Sequence, residues 1–432
     1  MEFLDTLTSY LSKDEIDALF SSMDEAPVHG VLLNSKRLSD EAFLSLCPEA
    51  KKHPFVPHAF LYDKGKYDLG KSFLFDVGAI YIQDPSAMMA PYFLGVSKED
   101  RVLDMCAAPG GKSIFMSFAL GQEGMILSND ISYARAKVLS QNVERCGRAN
   151  IIVSCEDFSK PFPALSGYFS AILLDAPCSG SAMFRKNEEA KSDWSQAKLS
   201  RCVEAQKALL EEATSLLCEG GRLLYSTCSF SYEENEGVIL PFLAAHPEFK
   251  AKMLPEDPSF YRSSALREAI HLFPHRFQGE GHFLCLLLKD GACPKFEKKK
   301  TDASHEEELS RYGFYELRYE EKDGIVSYAL PLLPVKKLSI LRNGVRAFNK
   351  TENKPEHALA RAMDPKHTIS LDKKQALAYL QGLSFPLSGP NGFAPVSYRG
   401  LPLGWVKIVS GTAKNHYPKG LRHSYKESEL DF

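Results

Sequence analysis

Two cysteines stand where the chain should leave a sheet. In "AILLDAPCSG" the apolar run Ile172-Leu173-Leu174 reads as a buried strand, Asp175 closes it, and Cys178 follows in the next turn. In "GRLLYSTCSF" the run Leu223-Leu224-Tyr225 stops at Ser226-Thr227, and Cys228 stands at the exit. A free thiol is only about 3% thiolate at neutral pH, so a reactive cysteine needs a site that activates it. One reaction calls for such a pair: transfer of a methyl group to carbon 5 of cytosine. That carbon is a weak nucleophile until a thiolate adds to carbon 6. A carboxyl group at the base edge must then stabilise charge at N3, and a further group must help the thiol leave. Cys228, Asp175 and Cys178 supply these three kinds of group. A buried cysteine is more often plain core; two of them past strand ends on one edge argue for chemistry.

The same edge carries carboxylates. Asp104, Asp130, Asp157 and Asp175 each close an apolar run. One such Asp is often a helix cap, but four around one glycine turn exceed what capping needs. The turn is Cys106-Ala107-Ala108-Pro109-Gly110-Gly111-Lys112. It is not a Walker A loop, which requires glycine where Cys106 stands, nor is it G-x-G-x-x-G. Gly110-Gly111 would let backbone approach a ligand at a helix start. Asp130, about twenty residues after Gly111, has the spacing of an acid that binds ribose hydroxyls. Asp157 suits an adenine amino group, and a sulfonium is favoured among so many carboxylates. The set points to S-adenosyl-L-methionine rather than a dinucleotide. Lys112 could reach the donor carboxylate or the base. Ten cysteines without a C-x-x-C pair argue against a metal site and a disulfide scaffold; Cys202, Cys218 and Cys285 lie in apolar patterns expected in the core.

Positioning these groups needs strands that alternate with helices. "RVLDMC", "GMILSND", "NIIVSCED", "FSAILLDAP" and "RLLYST" read as strands, and "SYARAKVLSQNVERCG" and "QAKLSRCVEAQKALLEEATSLLCEGG" as helical runs between them. "GHFLCLLLK" supplies one more strand. The expected fold class is α/β, a mostly parallel, doubly wound sheet over residues 96–290. Residues 1–95 open with an amphipathic helix pattern and continue as a small α+β region. A charged linker is expected over 291–309, a small α/β module over 310–365, and a compact β-rich domain over 366–432. The 432 residues, 44% apolar and 25% charged, suit two to four globular domains. Net charge is −3, but residues 396–426 hold Arg399, Lys407, Lys414, Lys419, Arg422 and Lys426 without an acid. The N-terminus lacks a signal-peptide pattern, and no run reaches the ~18–20 apolar residues of a membrane span. The expected location is the cytoplasm, with no membrane partner.

Several blocks carry a family resemblance. "YIQDPSAMMA", "LDMCAAPGGKS", "LLDAPCSGSAMFRKN", "YSTCSFSYEENEGVI" and "LFPHRFQGEGHFLCLLLK" resemble, in order, the signature blocks of Sun-type (Nol/Nop/Sun) RNA cytosine-5 methyltransferases. The tail "GLSFPLSGPNGFAPVSYRGLPLGWVKIVSGTAKNHYPKGLRH" resembles the PUA-like RNA-binding domain of the RsmF branch, which methylates bacterial 16S rRNA. The resemblance implies a Rossmann-like class I methyltransferase core, S-adenosyl-L-methionine as cofactor, and 16S rRNA or the small ribosomal subunit as partner. It implies Cys228 as nucleophile and Cys178 as the cysteine that assists release. It implies methyl-donor contacts from Cys106 through Lys112 and from Asp130, Asp157 and Asp175. In DNA cytosine methylases the Pro-Cys cysteine attacks, and that assignment would exchange Cys178 and Cys228. A tRNA substrate, or a non-catalytic ribosome-assembly role, are the rival readings.

There is one departure. The family commonly has an Arg-x-Asn element near its N-terminus that grips RNA; "GVLLNSKRLS" keeps Asn34 but places Leu32 at the arginine position, leaving Lys36 and Arg37 as substitutes. Arg185 and Lys186 are candidates for phosphate. His275 and Arg276 are as readily structural as RNA-contacting, Trp405 is expected in the core, and the basic stretch Arg399 to Lys426 is expected to meet RNA.

Overall fold

The structure, a computed structural model, describes residues 2–121, 124–186, 188–294, 318–322, 324–329 and 338–430. Two helices, Glu2–Thr8 and Lys13–Met23, lead into an antiparallel sheet of order β2-β3-β1-β4. Its strands are β1 (His29–Leu33), β2 (Lys51–Lys52), β3 (Ala59–Tyr62) and β4 (Ile80–Ile82). The core follows: β5 (Arg101–Asp104), β6 (Met125–Asn129), β7 (Ile151–Ser154), β8 (Phe169–Asp175), β9 (Leu217–Thr227), β10 (Phe249–Lys252), β11 (Ile270–Leu272) and β12 (His282–Lys289). The sheet runs β7-β6-β5-β8-β9 in parallel, with β12 antiparallel beside β9 and β10 and β11 beyond it. Strand order reverses between β5 and β8. Ligands in such sheets bind beyond the carboxyl ends at that reversal, and Asp104 and Asp175 close those two strands.

Burial explains why these runs are strands. Val102, Ile126, Ala171, Leu173 and Leu224 face one apolar layer, beneath the helices Pro85–Leu94, Gly111–Ala119 and Tyr133–Arg145. Their neighbours Leu103, Leu127, Ile172, Leu174 and Leu223 face the other, which includes Leu209, Leu210 and Ala213 of the helix Gln196–Leu216. A side-chain period of two with both faces covered gives a continuous apolar run. The helical run expected to reach Gly220-Gly221 instead ends at Leu216. Leu217 already pairs with Phe169 of β8 and is buried, so the last residues of the run extend β9.

The segment after the core departs from an independent module. β13 (Arg318–Lys322), β14 (Ile325–Ala329), β16 (Val345–Asn349) and β17 (Lys354–Pro355) form their own antiparallel sheet, but β15 (Ile340–Asn343) leaves it to pair with β7. An open edge on β7 would expose unpaired backbone groups, and β15 covers it. Arg342 fixes the join by pairing with Glu144 and donating to Ser140 Oγ at 3.0 Å. From residue 295 onward the expected linker lies outside the described residues.

The C-terminal region places β18 (Ile369–Ser370), β19 (Phe385–Pro386), β20 (Gly392–Tyr398), β21 (Leu401–Val409) and β22 (Thr412–Asn415) in one sheet. It does not stand apart. Val31, Leu33, Phe60 and Phe73 of the N-terminal region share one apolar cluster with Leu371, Tyr379, Val396 and Leu403. Among the described residues, no helix is long and apolar enough to cross a membrane.

Candidate active site

Both cysteine loops leave the carboxyl edge side by side, because β8 and β9 are parallel neighbours with Asp175 opposite Ser226. Cys178 Sγ and Cys228 Sγ are 2.9 Å apart. The hydrogen bond to Cys228, then burial, then the nearby charges of Cys228, Glu234 and Asp175 push the Cys178 thiol well up. Cys178 therefore keeps its proton. The Cys228 sulfur is close enough to Lys112 to favour that ammonium electrostatically.

Asp175 accepts from Lys112 Nζ at 2.6 Å and from Ser226 Oγ at 2.7 Å. Burial, the largest influence, works to raise its carboxyl, but Lys112, His282 and Ser226 together hold it below the usual carboxylate range. Burial likewise opposes the Lys112 ammonium, and Asp175 holds it above the usual lysine value. Asp175 is thus an ionised carboxylate rather than a ready acid at the base edge; the mobile proton of the pair sits on Lys112. His282 Nε2 lies 3.8 Å from Asp175 Oδ1, and burial followed by Lys112 brings the imidazole down to about 4, so it stands neutral.

A cavity of about 500 Å³ connects these groups to the rest of the carboxylate edge, with Asp130, Asp157, Asp175, Cys106, Cys178 and Cys228 all in its wall. Pockets of this size hold ordinary small ligands. Asp130 is 2% exposed; its Oδ1 accepts from Ser132 N, while its Oδ2 has Arg135 at 3.3 Å but no hydrogen bond. Asp157 caps Ser159 and pairs with Lys160 at 2.8 Å. Asp104 lies beneath the floor. Burial pushes its carboxyl up to about 7, against the hydrogen bond from Ser113 Oγ at 2.6 Å.

The glycine turn packs closely against its neighbours. Of its seven residues only Cys106 and Ala108 line the cavity. A Cβ on Gly110 would meet Leu139 at 2.8 Å, and one on Gly111 would meet Tyr81 at 2.8 Å. The glycines therefore let neighbouring elements close on the turn, while Lys112 projects to Asp175. Cys106 is half-buried in the wall, and burial, then the charges of Asp104, Asp175 and Asp130, drives its thiol up.

Residues outside the expected set hold the site in shape. Glu234 is 0% exposed, with no cation at ion-pair distance among the described residues. It accepts from Ser179 N at 2.7 Å, Ser179 Oγ at 2.5 Å and Gln206 Nε2 at 3.1 Å. Ser179 follows Cys178, so this carboxylate clamps the Cys178 loop. Thr227 beside Cys228 donates to Asn235 Oδ1 at 2.6 Å, and Tyr225 donates to Glu234 O at 2.7 Å. The stretch "SYEENE" carried this signal in its acids beside an apolar run, but not their partners. Asp84 caps the helix Pro85–Leu94 and accepts from Glu280 N at 3.0 Å, which joins two distant sequence blocks.

The expectations that Arg185 and Lys186 hold phosphate and that Arg37 serves as a substitute grip are corrected, while His275, Arg276 and Trp405 take the structural roles left open or expected for them. Arg185 is buried and donates from Nε to Glu280 at 2.8 Å, so it braces the fold rather than holding phosphate; Lys186 pairs with Asp84 and Glu280. His275 and Arg276 both pair with Glu15 and pin the second helix. Leu32 is core, and Arg37 is held by the carbonyl of Val77 at 2.6 Å and by that of Arg361, so it is no substitute grip. Trp405 is 2% exposed and donates to Glu356 O at 2.9 Å. The six basic residues from Arg399 to Lys426 are exposed, and Lys407 lies opposite Lys414 across β21 and β22.

Comparison with known proteins places the chain. Residues 91–288 match the model of the 16S rRNA methyltransferase RsmB/F family, residues 1–85 that of the N-terminal domain of 16S rRNA methyltransferase RsmF, and residues 366–423 that of the methyltransferase RsmF PUA domain. Ribosomal RNA small subunit methyltransferase F of Shewanella woodyi is 30% identical over 96% of this chain and 94% of its own. Its counterpart in Vibrio vulnificus is 31% identical over 90% of each chain. The solved structure of a methyltransferase homolog protein from Pyrococcus horikoshii aligns with a TM-score of 0.54 at 25% identity, over 67% of this chain and 99% of that one. NSun6 from the same organism, solved with SFG, aligns at 0.60 and 20% identity over 67% and 98%, which shows the shared fold. The unbonded Asp130 Oδ2 and the carboxylate-lined cavity fit S-adenosyl-L-methionine, the cofactor of this enzyme class. The chain belongs to the RsmB/F family of S-adenosyl-L-methionine-dependent rRNA methyltransferases, in the branch that carries the RsmF N-terminal and PUA domains.

Proposed function

We propose that the protein methylates carbon 5 of a cytosine in 16S rRNA, with Cys228 as nucleophile and Cys178 as the group that assists release. One observation carries the reading: the two sulfurs, 2.9 Å apart, share a cavity with Asp130, Asp157 and the Lys112-bound Asp175. S-adenosyl-L-methionine, when bound, supplies the electrophilic methyl. Asp130 would take its ribose hydroxyls, Asp157 its adenine edge, and Cys106 and Ala108 the wall between.

The target base must leave its stack to reach the sulfurs. Cys228 adds to carbon 6 as the thiolate, its proton having passed to solvent. The Lys112–Asp175 pair faces the charge that develops at N3: Lys112 donates and Asp175 holds it in place. Carbon 5, now enamine-like, takes the methyl and then loses its proton to solvent, the net proton the reaction releases. As the bond from carbon 6 to Cys228 breaks, Cys178 is near enough to hand a proton to the departing sulfur. The raised Cys178 thiol fits a proton donor for the release step. The Lys407–Lys414 pair supports an RNA partner, because like charges directly opposite destabilise a sheet unless an anion offsets them.

Bisulfite sequencing of 16S rRNA incubated with the protein and S-adenosyl-L-methionine tests the reading. A protected cytosine is expected with the wild-type chain and none with Cys228→Ala; label at any other atom or base overturns it.

A further inference from the structure

His282 opens β12 and is 5% exposed. β12 runs antiparallel to β9, and its next residue, Phe283, pairs with Thr227, so His282 arrives beside the strand exits that carry Asp175 and Cys228. Its hydrogen bonds fix which ring nitrogen holds the proton. Nδ1 lies 3.2 Å from Ser86 Oγ. Ser86 has one hydroxyl proton, and that proton goes to Asp84 Oδ1. Burial works to raise the Asp84 carboxyl, but Lys186, Ser86 and other neighbours hold it below the usual range, so it is an ionised acceptor. Gly281 N donates to Ser86 Oγ as well, at 3.1 Å. Ser86 Oγ has no proton left to give, and it accepts from Nδ1–H. The ring is neutral, because burial and then Lys112 outweigh Asp175, Asp84 and the Gly281 carbonyl. With the single proton on Nδ1, Nε2 carries a bare lone pair.

That lone pair faces a second acceptor. Nε2 is 3.8 Å from Oδ1 of the ionised Asp175. Among the described residues none donates to Nε2, and the atom is open rather than sealed. Lys112 Nζ is turned to Asp175 Oδ2 at 2.6 Å, and Ser226 takes one position on Oδ1, which leaves Oδ1 room for one more donor. Two acceptors side by side with little exposure repel each other until a donor comes between them. The group that fits carries two N–H bonds on one nitrogen, one for each acceptor. A primary amino group on a planar ring has them. A carbonyl oxygen in the same place would meet two lone-pair bearers with no proton to share. Cytosine and uracil differ in this respect at position 4, where one has an amino group and the other a carbonyl.

We propose that His282 is a specificity-determining residue: its Nε2 accepts from one N–H of the target cytosine's 4-amino group while Asp175 Oδ1 accepts from the other, so the pair admits cytosine and rejects uracil. A site built to receive a hydrogen bond discriminates against an analogue that cannot make it, because its own acceptor is then left unpaired. Ser86 and Asp84, at the start of the helix Pro85–Leu94, are positioning residues. They act through His282 by keeping its proton on the nitrogen away from the base. The opposite tautomer would offer the base a donor and would favour uracil. The inference rests on the cytosine-methylating reading above and deepens it, adding a contact to the base that neither thiol nor Lys112 supplies.

The test sets two variants against two bases. His282→Asn keeps an amide N–H near the Nδ1 position for Ser86 and has nothing at the Nε2 position; His282→Gln reaches that position with an amide oxygen. The probes are 16S rRNA fragments that carry, at the cytosine mapped by bisulfite sequencing, either cytosine or pyrimidin-2-one, which is cytosine without its amino group. Single-turnover efficiency of methyl transfer from labelled S-adenosyl-L-methionine is measured for each protein on each fragment, with methyl-donor affinity as the check on folding. The intrinsic reactivities of the two bases cancel when their ratio is compared between proteins. The preference for cytosine over pyrimidin-2-one should fall about tenfold in His282→Asn, the size of one lost hydrogen bond, and recover in part in His282→Gln. Methyl-donor affinity should stay unchanged in both. In the wild-type protein, nitrogen-15 NMR of the His282 ring at neutral pH should show the proton on Nδ1. A wild-type cytosine preference in His282→Asn, an equal loss on both bases, or a proton on Nε2 overturns the proposal. If the wild-type chain still methylates the cytosine fragment, the function stands and only the role of His282 falls. If the wild-type chain methylates no cytosine, the reading above falls and this one with it.

Discussion

Glu234→Gln is the perturbation that best isolates how the two thiols are kept apart in role. The substitution keeps the volume and one oxygen but removes the charge. Bonds to a charged acceptor contribute ~1.5–3 kcal/mol and neutral ones ~0.5–1.5 kcal/mol. Each of the two bonds from Ser179 to the buried carboxylate should therefore weaken by about 1 kcal/mol, and the fold by about 2 kcal/mol together. The Cys178 thiol is raised first by its bond to Cys228, then by burial, then by the charges of Cys228, Glu234 and Asp175. Losing one of those charges lowers it. Two assays read this out: the urea midpoint, and the pH profile of Cys178 alkylation by iodoacetamide located by peptide mass. The expected outcome is a lower midpoint and alkylation that begins at lower pH than in the wild type. A midpoint within ~0.5 kcal/mol of wild type together with an unchanged alkylation profile would refute the assigned role of Glu234.

Two further outcomes follow from the buried charges. Lys112→Met leaves Asp175 without its cation and should cost about 3 kcal/mol in chemical denaturation, with S-adenosyl-L-methionine-dependent turnover lost; wild-type stability would show that the pair is not coupled. Asp104 titrates near 7 when folded and near 3.9 unfolded. The folded state thus holds the extra proton: the stability this group contributes is full below about pH 4 and is lost as pH rises to 7, by at most about 4 kcal/mol. Asp104→Asn should flatten the dependence of the urea midpoint on pH over that window, and an unaltered slope would count against the raised carboxyl.

The central sheet was legible because its strands announce themselves twice, as apolar runs and as runs closed by a carboxylate. Asp175 and Cys178, or Thr227 and Cys228, could be placed at strand exits from local pattern alone. What local pattern cannot supply is pairing over long separations. Nothing near Ile340–Asn343 says that it covers β7, and nothing near Arg185 says that Glu280 will claim it. The charge of Arg37 suggested a solvent-facing grip, yet carbonyls from two distant segments absorb it. Glu234 was visible only as one acid in a run of acids; its importance lies in Ser179 and Gln206, far from it in sequence. The C-terminal domain looked detachable because its composition shifts at a linker. Its Leu371, Tyr379 and Val396 in fact complete the core of the N-terminal sheet, so removing it would uncover apolar surface.

The most direct test of the account is mass spectrometry of Cys178→Ala after reaction with a 16S rRNA fragment and S-adenosyl-L-methionine. The account predicts a denaturant-resistant protein–RNA adduct whose linked peptide carries Cys228 and whose cytosine has gained a methyl. An adduct on any other residue, or full turnover without an adduct, would contradict it.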